Sequence, residues 1–288
     1  MKLTTVLSGY FKLDGGPMFG VVPRKLWNKL NPADENNLCQ WAMRSLLIET
    51  GDRKILVDTG IGHKQEEKFR QMFGSQGPTA SESLLSIAVP PESITDVFLT
   101  HLHFDHVGGA LGKDASGRLY PIFPNATYWS NEVHYDWAYK SNPREEASFI
   151  RENFVPLRDQ GLLRMIDVQK DDVPWIDGIE VRFLDGHTTG MMIPGIPLPG
   201  GDRKLWYGAD LIPSQWHIRR PYIMAYDMQP LKTLEEKERF LSDLVDQHNL
   251  LFFEHDPIVE AATIQVDERG RFALLRSGDL KDLMGTPQ

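Results

Sequence analysis

Histidines and aspartates fall immediately after short apolar segments of this chain, and that placement limits what it can fold into more than any other feature. Segments rich in Val, Ile, Leu and Phe recur between turn residues at 46–49, 54–57, 96–100, 179–184, 204–208 and 250–253, and each reads as a strand. His101-Leu102-His103-Phe104-Asp105-His106 follows the third, His187 the fourth, Asp210 the fifth and His255 the sixth. Strand ends are rigid and the loops beyond them are free to vary, so this edge is where α/β proteins build sites. Alternation along an extended segment puts His101 and His103 on one side, while Asp105 and His106 lie on the turn that follows. The four groups can therefore converge from two directions. A fortuitous surface cluster of histidines is the competing reading, and the three later strand-end residues argue against it.

Thr79-Ala80-Ser81-Glu82 has the form of a capping box and opens an apolar-periodic stretch to Val89; Thr233-Leu234-Glu235-Glu236 does the same before Phe240, Leu241, Leu244 and Val245. Two helices are expected there. No linker, repeat or composition shift divides the 288 residues, so the reading is a single α/β domain over 1–288, with a mostly helical, aromatic-rich insertion at about 120–155. With 41% hydrophobic residues, 24 Gly and 19 Pro, the chain is neither disordered nor collagen-like. A net charge of −9 gives no electrostatic footprint for nucleic acid or an anionic membrane surface. Cys39 is the single cysteine, which excludes an intrachain disulfide and a Cys-rich zinc module. The early apolar run stops at Leu7 and no run approaches the ~20 residues of a membrane span, so a cytoplasmic protein is expected.

Ligand count sets the expected number of metals. His101, His103, His106, His187, His255, Asp105 and Asp210 exceed what one tetrahedral ion takes, so two divalent ions are implied. Imidazole and carboxylate without thiolate suit zinc best, and manganese, iron or cobalt would be accepted by the same set. A carboxylate between two such ions leaves a shared water that is acidified to hydroxide at neutral pH.

His-x-His-x-Asp-His at 101–106, followed by His187, Asp210 and His255, resembles the metallo-β-lactamase-fold hydrolases, over about residues 46–256. The resemblance implies a four-layer αββα sandwich with a dinuclear site at one edge. It implies His101, His103 and His187 on the first metal, Asp105, His106 and His255 on the second, and Asp210 as the bridge. Asp58, in Val57-Asp58-Thr59-Gly60, matches an early aspartate that supports the site without binding metal. Lactamases with a cysteine ligand are excluded, since Cys39 lies far upstream; antibiotic lactamases generally lack the aspartate that Asp210 supplies; flavodiiron reductases carry Glu where this chain has His103. The string at 100–109 is similar to that of N-acyl homoserine lactonases and the methyl parathion hydrolase-like branch. The stretch from Trp216 through Pro230 to His255, with an aromatic-Asp pair before a helix, is similar to the latter.

The expected function is hydrolysis by a metal-bridging hydroxide that opens a lactone or cleaves an ester of a small-molecule substrate, with Asp105 or Asp210 carrying the proton to the leaving alkoxide. His217, Arg220, Tyr222 and Tyr226 follow Asp210 on one loop and are candidate pocket residues, a tyrosine there being able to donate a hydrogen bond to a carbonyl oxygen. Met18 and Phe19, an apolar tip between turn residues, are candidates to cover an acyl portion, and His248 reads as a surface residue. Phosphotriester or phosphodiester hydrolysis, for which Arg219-Arg220 is the adjacent basic pair, and a glyoxalase II-like thioesterase are the alternatives. A non-enzymatic metal-binding module is a third, and a homo-oligomer is compatible with everything above.

Overall fold

A computed structural model describes residues 1–201 and 203–285. Its contacts divide the chain into two compact units, Met1–Phe11 with Ala42–Lys170 and Gly190–Met192, and Lys12–Trp41 with Asp171–Thr189 and Ile193–Gln288. Each is a mixed sheet carrying helices, the α/β class expected.

In the first, β1 (Lys2–Asp14), β2 (Leu38–Thr50), β3 (Arg53–Val57), β4 (Asp96–Phe98), β7 (Thr127–Ser130) and β8 (Leu163–Met165) form one sheet in the order β1-β2-β3-β4-β7-β8, and β5 (Leu111–Lys113) pairs with β6 (Leu119–Pro121). β2 and β3 are a hairpin with Leu46 opposite Val57 and Thr50 opposite Arg53. Its two-residue loop is Gly51-Asp52, with Gly51 at φ +52° as such a turn requires. β3, β4, β7 and β8 then run parallel, which puts Asp58 and Thr100, just past β3 and β4, on one edge. Parallel strands covered on both faces read as continuous apolar runs, and β4 is buried at every position. Leu56, Val97, Leu99, Leu102, Tyr128 and Phe154 belong to the core of this unit.

The capping box at Thr79 is formed: its hydroxyl accepts from Glu82 N, the Glu82 carboxylate accepts from Thr79 N, and the helix runs Ala80–Ser86. The interval 120–155 holds the helix Glu132–Tyr139 and a turn at Arg151–Asn153, but also β7, which lies inside the sheet between β4 and β8. Thr127-Tyr128-Trp129-Ser130 is not a Val-, Ile-, Leu- and Phe-rich run like those that mark the expected strands, so β7 carries no such signal in the sequence.

The second unit carries β9 (Val173–Pro174), β10 (Glu180–Leu184), β11 (Met191–Pro197), β12 (Lys204–Tyr207), β13 (Leu250–Phe252), β14 (Ala261–Val266) and β15 (Phe272–Gly278) in the order β15-β14-β13-β12-β11-β10-β9. β12 and β13 are parallel neighbours, so Asp210 and His255, each three residues past its strand, leave by the same edge. The helix between them runs Pro230–Asp246 and packs Phe240 edge-on against Trp206. It starts three residues before Thr233, correcting the expected capping box. Pro230 takes the first helical position, which needs no N–H donor. Thr233 lies inside the first turn, its hydroxyl on Gln229 O, and the Glu236 carboxylate accepts from Asp185 N and Gly186 N.

Candidate metal centre

On the first unit the site is built outward from Asp58. This residue turns the chain out of β3 at φ +54°, and its N–H donates to Phe98 O at the end of β4. Its two oxygens accept from Thr100 N at 2.8 Å and the Thr100 hydroxyl at 2.6 Å, and one of them faces His106 Nδ1 at 3.0 Å. His101 then follows in extended chain and His106 in the short helix Phe104–Val107. His101, His103, Asp105 and His106 are all buried. Gly108 and Gly109 let this turn close on the one after β3. A Cβ on Gly108 would lie 2.3 Å from Ile61 O, and one on Gly109 2.2 Å from Thr59 O.

The partners decide which nitrogen of each imidazole carries the proton. The Thr100 hydroxyl donates to Asp58 and so accepts from His101 Nδ1, 3.0 Å away. Glu145 Oε1 accepts from His103 Nε2 at 3.0 Å, and the other Glu145 oxygen accepts from Trp137 Nε1 at 2.7 Å. His101 Nε2 and His103 Nδ1 are left with lone pairs facing one another at 3.0 Å. Two lone pairs at that distance repel unless a cation stands with them. His106 repeats the pattern: Nδ1 is on Asp58, and Nε2 lies 3.7 Å from Asp105 Oδ2.

The second unit carries the same design. His187 Nδ1 donates to Asp227 Oδ1 at 2.8 Å, and its Nε2 lies 3.1 Å from Asp210 Oδ2. His255 Nε2 lies 3.1 Å from the other Asp210 oxygen. All four side chains are buried. Burial opposes a charge on His187, yet Asp210 and Asp227 outweigh it and lift its pKa to about 10. Asp210 and Asp227 set a carboxylate against each nitrogen of the His187 ring. Nitrogen and carboxylate donors without sulfur, each imidazole oriented through its second nitrogen, fit a divalent transition metal.

Three buried groups carry no signal in the sequence motif. His134 Nε2 accepts the Leu102 N–H at 2.8 Å and so pins the backbone between His101 and His103. It is held by Asn131, which caps its helix and whose amide donates to Gly190 O. Glu145 comes from a polar loop 42 residues after His103. Asp227 is the aspartate of the aromatic-Asp pair before the helix, and that pair was the available clue.

The candidate pocket residues fall in several settings. Met18 and Phe19 sit in the helix Gly15–Phe19, buried at 1% and 0% exposure and packed inside the second unit. Phe19 stacks between Trp27 and His217, with Tyr222 edge-on. His217 has both nitrogens engaged, Nδ1 with the Ser214 hydroxyl at 2.7 Å and Nε2 with Met18 O at 2.8 Å. Burial pushes its pKa down to about 3, so the ring is neutral. Arg220 pairs with Glu238, and Tyr226 and His248 are exposed.

Comparison with solved structures gives the class. A probable metal-dependent hydrolase from Staphylococcus aureus superposes with a TM-score of 0.84 at 27% identity, covering 96% of both chains. The fold is the metallo-β-lactamase fold that the motif implied. The family profile of the metallo-beta-lactamase superfamily matches residues 44–202, and the chain belongs to that superfamily. A probable metallo-hydrolase of Mycobacterium tuberculosis is 27% identical over 169 residues, 55% of this chain and 49% of its own length. An N-acyl homoserine lactonase of Bacillus cereus is 26% identical over 172 residues, 56% of this chain and 59% of its own. The chain thus spans about half the length of the curated relatives it matches. No helix among the described residues is long and apolar enough to cross a membrane.

Proposed function

We propose that the protein is a dinuclear metal-dependent hydrolase that opens a lactone or cleaves a carboxylic ester of a small molecule in the cytoplasm. His101, His103 and His187 would hold one ion, Asp105, His106 and His255 the other, and Asp210 would serve both. The observation that carries this reading is the orientation of the imidazoles. Thr100, Glu145, Asp58 and Asp227 each engage one nitrogen of His101, His103, His106 and His187, and the second nitrogen of each ring lies 3.0–3.7 Å from another proposed ligand atom. Superfamily membership and the lactonase relative support it. Zinc is the ion the donor set favours, ahead of manganese, iron or cobalt.

When bound, such ions would polarise the substrate's carbonyl oxygen and supply a nucleophile from water at neutral pH. The chain's own contribution is orientation and proton handling. Glu145 and Asp227 fix their imidazoles in one tautomer and ring direction. Asp105 and Asp210 are the carboxylates available to hold the proton taken from water and return it to the leaving alcohol. Elemental analysis of purified protein should give close to two transition-metal ions per chain, and exhaustive chelation should abolish turnover. A lactone, a carboxylic ester, a thioester, a phosphotriester and a phosphodiester, assayed side by side on metal-replete protein, choose the substrate class. Turnover only of the thioester or of a phosphoester would replace the lactone or ester reading, and a stoichiometry fixed at one would defeat the dinuclear one.

A further inference from the structure

The second unit contains a cavity of about 690 Å³ that none of the seven proposed metal ligands lines. Its volume is within the range of small-molecule sites, roughly 300–1,000 Å³. One wall is the segment Gln215–Tyr222; the other is the start of β15, Phe272–Leu274, with Leu30 beside them. The register sets its place on the sheet. Phe272 pairs with Val266, at the opposite end of β14 from Ala261, the partner of Phe252 that precedes His255.

Its lining combines an apolar surface with a cationic rim. Trp216, Ile218, Phe272 and Leu274 provide the apolar part, and Arg219, Arg220 and Arg271 the positive charge, with Asp267 the one acidic residue in the lining. Two of these guanidinium groups are already neutralised: Arg271 forks onto Asp267, and Arg220 pairs with Glu238 while lying over the Phe272 ring. Arg219 differs. Its interactions are with the hydroxyl and ring face of Tyr222, neither of which offsets its charge. Among the described residues it has no acidic partner, in a chain whose net charge is −9.

The wall bearing Arg219 is held in shape from behind. Lys237, 1% exposed, spends its ammonium on two backbone carbonyls of that wall, Arg219 O at 2.8 Å and Tyr222 O at 2.7 Å. Burying a lysine is costly, and burial pushes its pKa down to about 7. A lysine buried to organise four residues of loop gives a preformed surface, and preformed surfaces bind with less ordering cost.

We propose that this cavity binds an amphiphilic carboxylate, its apolar chain against Trp216, Phe272 and Leu274 and its carboxylate on the planar fork of Arg219. The inference stands apart from the hydrolase reading, because it uses none of the metal ligands. Titration calorimetry of the metal-replete protein with octanoate, octyl phosphate, 1-octanol and acetate tests it. Octanoate should bind at one site per chain beyond any that survives in the variants, and more tightly than the other three. Arg219→Gln should weaken octanoate at least tenfold at this site while leaving the protein's melting temperature unchanged, and Leu274→Trp, which enlarges a side chain on the same strand face as Phe272 in the lining, should abolish it. Octanoate binding that is insensitive to both substitutions belongs to the metals and overturns the proposal. Equal affinity for 1-octanol, or tighter binding of octyl phosphate, overturns the carboxylate assignment, and no binding at millimolar concentration overturns the site.

Discussion

Glu145 shows at the scale of one residue how a buried charge is put to use. It is 3% exposed, and both oxygens are occupied, one by His103 Nε2 and one by Trp137 Nε1. With the proton fixed on Nε2, Nδ1 is the nitrogen left to bind a cation. Glu145→Ala should lower metal affinity by the roughly 10- to 100-fold typical of lost orienting partners, read by chelator competition. Glu145→Gln keeps a hydrogen-bond acceptor but not the charge, and should lie between the two. Asp210→Asn is the sharper substitution. It retains the size and one carbonyl oxygen while removing the charge that would offset two cations, so one ion per chain should remain by elemental analysis and turnover should fall at least tenfold.

Among the elements, the two helices announced by similar sequences behave differently, and each yields a measurement. Thr79 caps Ala80–Ser86 reciprocally with Glu82, so Thr79→Ala should cost about 1 kcal/mol in denaturant unfolding. Thr233 caps nothing, and the helix Pro230–Asp246 is anchored instead by Phe240, Leu241, Leu244 and Lys237. The Lys237 pKa of about 7 lies below the ~10.4 of an unfolded lysine. Between those values the unfolded chain carries a proton that the native chain lacks, so this residue makes stability rise with pH across that window and contributes no slope below it. Asp227 opposes the shift without cancelling it. Lys237→Met should flatten the melting-temperature profile between pH 7 and 10 relative to the parent. The glycine pair after His106 is an element boundary of another kind, where Gly109→Ala would drive a methyl group into Thr59 O and should be strongly destabilising.

For the whole molecule, the proposed ligands come from distant stretches of the sequence, His101 to His106 from one and His187, Asp210 and His255 from three others. A metal bound only by the folded chain stabilises it by mass action. The melting temperature should therefore fall on chelation and recover with added zinc, and Asp210→Asn should recover less of it. A melting temperature indifferent to metal would count against a metal bound by the folded chain.

What the sequence determined by itself was what local pattern can determine. Apolar runs bounded by turns mark strands because side-chain alternation and burial act over four to eight residues, and the six expected segments all fall on strands of the sheets. The seven candidate ligands were legible for the same reason, each sitting a few residues beyond such a run. The tertiary structure alone decided what stands behind them. Glu145, His134 and Asp227 are 42, 32 and 40 residues from the groups they hold, and only Asp227, in the aromatic-Asp pair before a helix, has a local signal. Phe19 and His217 look like loop residues until 197 intervening positions are folded away and the two rings stack at 5.3 Å. Those contacts follow from which faces meet, and chain propensity, which acts over a few residues, does not encode that meeting.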